Sequence, residues 1–210
     1  MINALVGRKI GMTQLFDETG NLSAVTVLQV GPCQVTQLKQ AETDGYYAVQ
    51  IGFEDKTKNI KAPETGHFKK SGVAPKRHLR EVRFAKASEA KLGDTVTCEV
   101  FQAGEKVDVI AVTKGRGFAG TIKRHGFTRG PETHGSMNVR APGSMGSNTD
   151  PGRVWKGKRL GGHYGHERHT QRNLLVLKVD AAKHLLLVRG AVAGPNGGLV
   201  TVRKAKYKTK

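Results

Sequence analysis

Acidic side chains are scarce in this chain: 17 Asp and Glu stand against 35 Lys and Arg in 210 residues, a formal charge of +18. An excess of that size repels itself unless polyanion lies close by, so nucleic acid is the expected partner class. Cysteine is scarcer still. Cys33 and Cys98 are far apart and belong to no C-x-x-C pair, which argues against a disulfide framework or a zinc ribbon and fits a reducing cytoplasm. No run approaches the roughly 20 apolar residues that cross a bilayer. The opening Met1-Ile2-Asn3-Ala4-Leu5 lacks a charged region followed by a long apolar one, so neither membrane insertion nor secretion is expected. Aromatic residues make up only 6% and apolar residues 37%, material for a core over part of the chain rather than all of it.

The charge excess is unevenly placed. Residues 1–113 hold 15 basic and 13 acidic side chains, residues 114–172 hold 12 and 3, and residues 173–210 hold 8 and 1. The first part is as balanced as an ordinary folded domain. The middle segment also changes texture, with 13 Gly and 5 His among its 59 residues and only Ile122, Val139, Val154 and Leu160 as branched aliphatics. It cannot build a core of its own. It is not a Gly/Ser linker either, since Phe118, Phe127, Trp155 and Tyr164 interrupt the glycines and Arg and Lys recur throughout. Such a segment is built to order against something else.

On both sides of it, β-branched and apolar runs predict strands over 23–30, 33–38, 47–53, 95–101, 107–113, 174–179, 185–188 and 199–203. Turn signals separate them, among them Gly31-Pro32, Asp44-Gly45 and Gly194-Pro195-Asn196-Gly197-Gly198. Many short strands with tight turns predict a mainly β fold, a small closed antiparallel β-barrel formed by 1–113 and 173–210. Residues 114–172 are then a long irregular basic arm inserted in it. At about 3.3 Å per residue, half of that arm could reach on the order of 90 Å. A second interruption, about 55–92, carries Lys69-Lys70, Lys76-Arg77 and Arg80 with Pro63 and Pro75. It is expected to be a loop-rich insertion, helical only in pieces such as 87–91, offering further phosphate contacts.

Three motifs invite catalytic or cofactor readings. Gly115-x-Gly117-x-x-Gly120 has dinucleotide-binding spacing, but Lys123-Arg124-His125-Gly126-Phe127 and then Gly130-Pro131 follow where a helix, a strand and an acidic residue are required. His163-x-x-His166-Glu167-x-His169 has metal-like spacing, yet it lies among Arg159, Arg168 and Arg172 without cysteine, where histidine serves to stack on bases or touch phosphate. Ser136, Ser144 and Ser147 near His134 lack a nucleophile elbow and an orienting acid. Neither an enzyme, nor a metal site, nor any other cofactor is expected.

What the segment does carry is a series of cations interleaved with glycine and aromatics: Lys114, Arg116, Lys123, Arg124, Arg129, Arg140, Arg153, Lys156, Lys158, Arg159, Arg168 and Arg172, with His163 and His166. Arg forks onto phosphate or stacks on bases, Trp155 and Tyr164 can stack on an unpaired base, and Gly115, Gly117 and Gly120 let backbone approach phosphates closely. Folded RNA suits such a thread better than duplex DNA, for which there is no recognition-helix pattern.

These residues resemble a known family. Phe101, Asp108, Ala111, Thr113 and Gly115-Arg116-Gly117-Phe118-Ala119-Gly120 followed by Arg124 are similar to the signature of the ribosomal protein L-three family of the large subunit. So are Leu5-Val6-Gly7-Arg8-Lys9-Ile10-Gly11-Met12-Thr13, Gly143-Ser144-Met145-Gly146, Pro151-Gly152-Arg153-Val154 and Leu185-Leu186-Leu187-Val188-Arg189-Gly190-Ala191-Val192, and the match runs from end to end. The resemblance implies a six-stranded barrel of the elongation-factor type, bound to 23S rRNA in the cytoplasmic large subunit. It also implies an arm whose tip, Ser144, Met145, Gly146, Ser147, Asn148, Thr149 and Asp150, lies near the peptidyl-transferase centre. It further implies a role early in subunit assembly and neighbours such as proteins L-fourteen and L-nineteen, with no membrane, no DNA and no homo-oligomer. The glutamine methylated in some relatives has no counterpart in Ser147-Asn148-Thr149-Asp150. The alternative is a free-standing RNA-binding assembly factor or regulator with a β-barrel.

Overall fold

Apolar residues at every second position build much of this fold, as in Leu199-Val200-Thr201-Val202, where Val200 and Val202 are buried and their neighbours are not. The computed structural model describes residues 2–16 and 20–206. Its strands and helices begin with β1 (Ala4–Phe16), β2 (Leu22–Val30), β3 (Cys33–Lys39), α1 (Ala41–Asp44), β4 (Tyr47–Asp55), α2 (Ala62–Lys69), β5 (Lys76–Phe84) and β6 (Thr95–Val96). They continue with β7 (Lys106–Val112), β8 (Phe118–Ala119), α3 (Thr121–His125), β9 (Gly162–His163), β10 (Arg168–Asp180), β11 (Leu185–Arg189) and β12 (Leu199–Lys204). The chain forms two compact units, one of residues up to Val112 together with those from Arg168 onward, the other Thr113–Glu167.

In the first unit, antiparallel pairing runs β1, β12, β7, β10, β11, β2 and returns to β1, a ring of six strands. Register places Val202 opposite both Leu5 and Val109, so the inward side chains of successive strands stack. A bulge in β10 between Gln171 and Leu174 sets Asn173 at φ 55°, and the buried Asp108 carboxylate accepts its backbone N–H at 3.1 Å. The same carboxylate accepts from Arg203 Nε at 3.3 Å and Nη2 at 3.1 Å.

The second sheet, in the order β5, β4, β3, β6, corrects the sequence reading. Strands predicted at 33–38 and 47–53 are present but pair here rather than in the ring. The one expected over 95–101 ends at Val96 and gives way to a 3₁₀ turn over Cys98–Val100. The interval read as loop-rich contains α2, started by Pro63 and by Glu64 accepting the Lys61 N–H at 3.2 Å, and the nine-residue strand β5. Residues 87–91 are not helical. The strand was hidden because β5 lies at a sheet edge and buries only Val82, while Arg77, Arg80, Glu81 and Arg83 face water. Both sheets share one core, in which Val35, Val49, Ile51 and Phe101 join Leu5, Leu28, Val109 and Leu186.

Two features of this unit, one buried and one partly exposed, give measurable expectations. The Cys33 thiol donates to the Val6 carbonyl, with Sγ and O 3.4 Å apart, and burial pushes its pKa up to about 11. At pH 8 it should escape alkylation by iodoacetamide in the native protein and react as an ordinary thiol in denaturant, which mass spectrometry of the Cys33 peptide will show. The second is the Glu54 carboxylate on β4, paired with Arg8 of β1, where Arg8 Nη2 donates to Glu54 Oε2 at 2.7 Å. The Arg8 hydrogen bond holds Glu54 below the usual carboxylate range. A depressed carboxylate stabilises the fold fully above its unfolded pKa and loses that contribution as pH falls through the native value. Melting temperature should therefore fall more steeply below about pH 4.3 in the parent than in Glu54→Gln.

Candidate nucleic-acid interface

Residues 113–167 have almost no interior: only Ala119 and Thr121 are buried. Backbone pairing replaces a core. The Thr113 N–H donates to the Glu167 carbonyl at 2.9 Å, the Arg116 N–H to Tyr164 at 2.8 Å and the Tyr164 N–H to Gly117 at 2.9 Å. β8 and β9 extend the ribbon through Phe118 opposite His163. Gly117, at φ 66°, supplies the left-handed turn that lets the two sides meet. α3 follows Gly120 and is closed by Gly126 in the left-handed region, its N–H donating to Ile122.

The predicted cations divide into two sets. Arg124 is half-buried and its Nη1 donates to the Leu160 carbonyl at 2.9 Å, while His125 Nε2 lies 3.0 Å from the same oxygen. Arg129 pairs with Glu132. These two arginines work inside the segment. Lys114, Arg116, Lys123, Arg140, Lys156, Lys158 and Arg159 are exposed and have no side-chain partner among the described residues. Arg153 is exposed and lies 5.4 Å from the centre of the Trp155 ring, which is itself 61% exposed. Eight cations are thus presented to solvent in a unit whose acids are Glu132, Asp150 and Glu167, with Glu132 already paired.

Arg168 and Arg172, grouped with this segment by composition, lie on β10 of the other unit. His163 sits on β9 and His166 in the connection from β9 to β10, at φ 54°. Among the described residues no cluster of His, Cys, Asp and Glu could hold a metal ion. The outer loop from Ser144 through Asp150, including Met145, Gly146, Ser147, Asn148 and Thr149, is exposed at every position. Asn148 takes φ 51°, and the Ser144 hydroxyl donates to the Gly146 carbonyl at 3.3 Å.

Within the chain, a Cβ at Gly115 would make only an ordinary contact with His166 and one at Gly120 would meet nothing within 4 Å, so both backbones stay open to a ligand. The close approaches are at Gly165, where a Cβ would collide with the Lys114 carbonyl and come within 3.2 Å of Gly115 Cα, and at Gly130, packed on the Asn138 backbone. Phe118 is not among the predicted site residues. It is 83% exposed on β8, an aromatic among glycines that the sequence presents within the Gly115–Gly120 signature.

Comparison with known proteins points one way. A family model described as Ribosomal protein L3 matches residues 56–184. The large ribosomal subunit protein uL3 of Herpetosiphon aurantiacus is 50% identical over 212 aligned positions covering 100% of both chains. That of Picosynechococcus is 53% identical over 200 positions, 94% of each chain, and that of Prochlorococcus marinus 52% identical over 203, 96% of this chain and 93% of the relative.

Proposed function

This chain belongs to the ribosomal protein L3 family and is a large-subunit ribosomal protein rather than an enzyme, and from that premise we propose that it binds 23S rRNA through an arm formed by Thr113–Glu167. The observation that carries the proposal is the set of eight exposed cations around an almost absent interior. Phosphates packed close together in folded RNA repel, and a thread of unpaired Lys and Arg offsets that repulsion while Trp155 and Arg153 offer a stacking face. The six-stranded ring serves as a small barrel of the translation-protein type that docks on the RNA. The outer loop, Ser144 to Asp150, shapes the surroundings of the peptidyl-transferase centre without supplying a reacting group. Binding belongs to the early steps of subunit assembly, with proteins L-fourteen and L-nineteen as neighbours.

A permanent constituent should stay with large subunits pelleted through a high-salt wash, whereas a free-standing assembly factor should be stripped. Deleting residues 135–157 should leave a folded protein that still joins the subunit, because the ribbon of 113–118 with 162–167 and the helix α3 remain. Peptidyl transfer by those subunits should fall by about tenfold to a hundredfold, the cost of a small displacement in a positioned site. Outright unfolding of the shortened chain would refute the modular reading.

A further inference from the structure

The outer halves of β1 and β2 form a two-stranded ribbon with an apolar face left open by the rest of the first unit. β1 pairs with β12 only as far as Arg8, opposite Leu199, whereas its pairing with β2 continues to Phe16, opposite Leu22. From Gly11 to Phe16 the strand therefore has a single neighbour among the described residues, and its other edge offers backbone N–H and C=O groups to a further strand. Register places Met12, Gln14 and Phe16 on the same side as Thr26, Ala24 and Leu22. Met12 is 51%, Phe16 76% and Leu22 52% exposed, while Thr26 and Leu28, farther along the same face, are fully buried. The side that is interior within the ring is thus uncovered on the ribbon.

Charge sets this ribbon apart from the cationic arm. Between Lys9 and Lys39 the sequence has no Lys, Arg or His, and its only acids are Asp17 and Glu18, which follow Phe16 directly. A surface without a cation, in a chain that carries +18, is poorly suited to phosphate. A second copy of this chain would set Asp17 and Glu18 against their own counterparts, and two bodies of +18 repel. A basic partner with apolar side chains at alternate positions suits all three features together, the free edge, the apolar face and the acids.

Resting on the reading of this chain as an rRNA-bound constituent of the large subunit, we propose that the β1–β2 ribbon is a protein-docking site whose occupant is an extended, basic segment of another large-subunit protein. The segment adds to the free edge of β1 as a further strand, main chain to main chain. Every second side chain then extends the apolar face of Met12, Phe16 and Leu22, and its Lys or Arg residues offset Asp17 and Glu18. The division is by chemistry: the arm meets phosphate, and the ribbon meets protein.

The test introduces Phe16→p-benzoylphenylalanine, close in shape to the parent residue, into the full chain in cells whose large subunits carry no other copy. Irradiation of purified subunits should give one major cross-link, to a Lys- or Arg-rich peptide of a second large-subunit protein. That protein, once purified, is titrated with the free full chain. Phe16→Ser combined with Leu22→Ser should weaken its binding about tenfold or more, the usual effect of losing anchors at an interface. Both positions are exposed, so circular dichroism melting of the double variant should match the parent.

A cross-link to rRNA or to a second copy of this chain, the absence of any cross-link, or unchanged affinity in the double variant would overturn the docking site. Any of these leaves the rRNA reading standing while the parent chain still pellets with large subunits through the high-salt wash. Loss of the parent chain in that wash would remove the reading beneath the proposal, and the proposal with it.

Discussion

Affinity for a large-subunit rRNA fragment should fall about 10⁴-fold between 50 and 200 mM salt for the parent chain, and only about 10²-fold once Arg116, Lys123, Lys158 and Arg159 are replaced by Ala. The first figure follows from eight exposed cations each releasing most of one counterion, a slope near −6 to −7 on logarithmic axes. The second follows from removing half of them. All four residues are exposed and without a side-chain partner among the described residues, so the fold should survive their loss. Replacing Arg124 should behave differently. Its bond to the Leu160 carbonyl makes it a tie within the segment, so Arg124→Ala should change the salt slope little and instead raise protease sensitivity of residues 120–162. A parent slope near zero would count against the whole assignment of the arm to polyanion.

Gly7→Ala should destabilise the first unit by about 3 kcal/mol, at the upper end of overpacking costs, and lower its melting temperature by roughly 6–12 °C. Gly7 lies in β1 where the strand pairs on both sides, opposite Val200 in β12 and Val30 in β2. An added Cβ would drive into the Gln29 carbonyl and come within 2.9 Å of Val30 Cα. Both obstacles are backbone, so no side-chain rotation relieves them. The strand would have to move, and with it the ladder to one neighbour. Gly11, four residues on, is a useful control, since nothing but the tip of Asn196 comes near its added Cβ. Gly11→Ala should cost about 1 kcal/mol or less. Equal melting temperatures for the two variants would mean that the close approach at Gly7 is not real.

The ring strands were legible where burial is one-sided. Val107, Val109 and Ala111, or Val200 and Val202, alternate with outward residues, and that period survives in the sequence. β1 was not read as a strand because its Gly7, Arg8, Lys9 and Gly11 break the pattern: the glycine serves a backbone approach and Lys9 is buried with its ammonium donating to the Val192 carbonyl at 2.7 Å. Neither purpose is visible without the partner strand. β5 was masked by the opposite circumstance, an edge position that tolerates charge. The cationic segment announced itself by composition alone. Its division of labour did not, because Arg124 and Arg159 are the same residue type, and only the fold shows that one ties the chain together while the other faces solvent.

The pairing of Thr113 with Glu167 and of Arg116 with Tyr164 makes the cationic excursion a hoop rather than a tail. A tail can be threaded end first through a narrow passage at any time. A hoop needs an opening wide enough for two strands of polypeptide, so it has to be enclosed while its surroundings are still open. Once enclosed, it cannot slip out without the same opening. Under the proposed role, the geometry of the stem sets an order of events: this protein goes in before the RNA closes around it, and leaves only when that RNA comes apart.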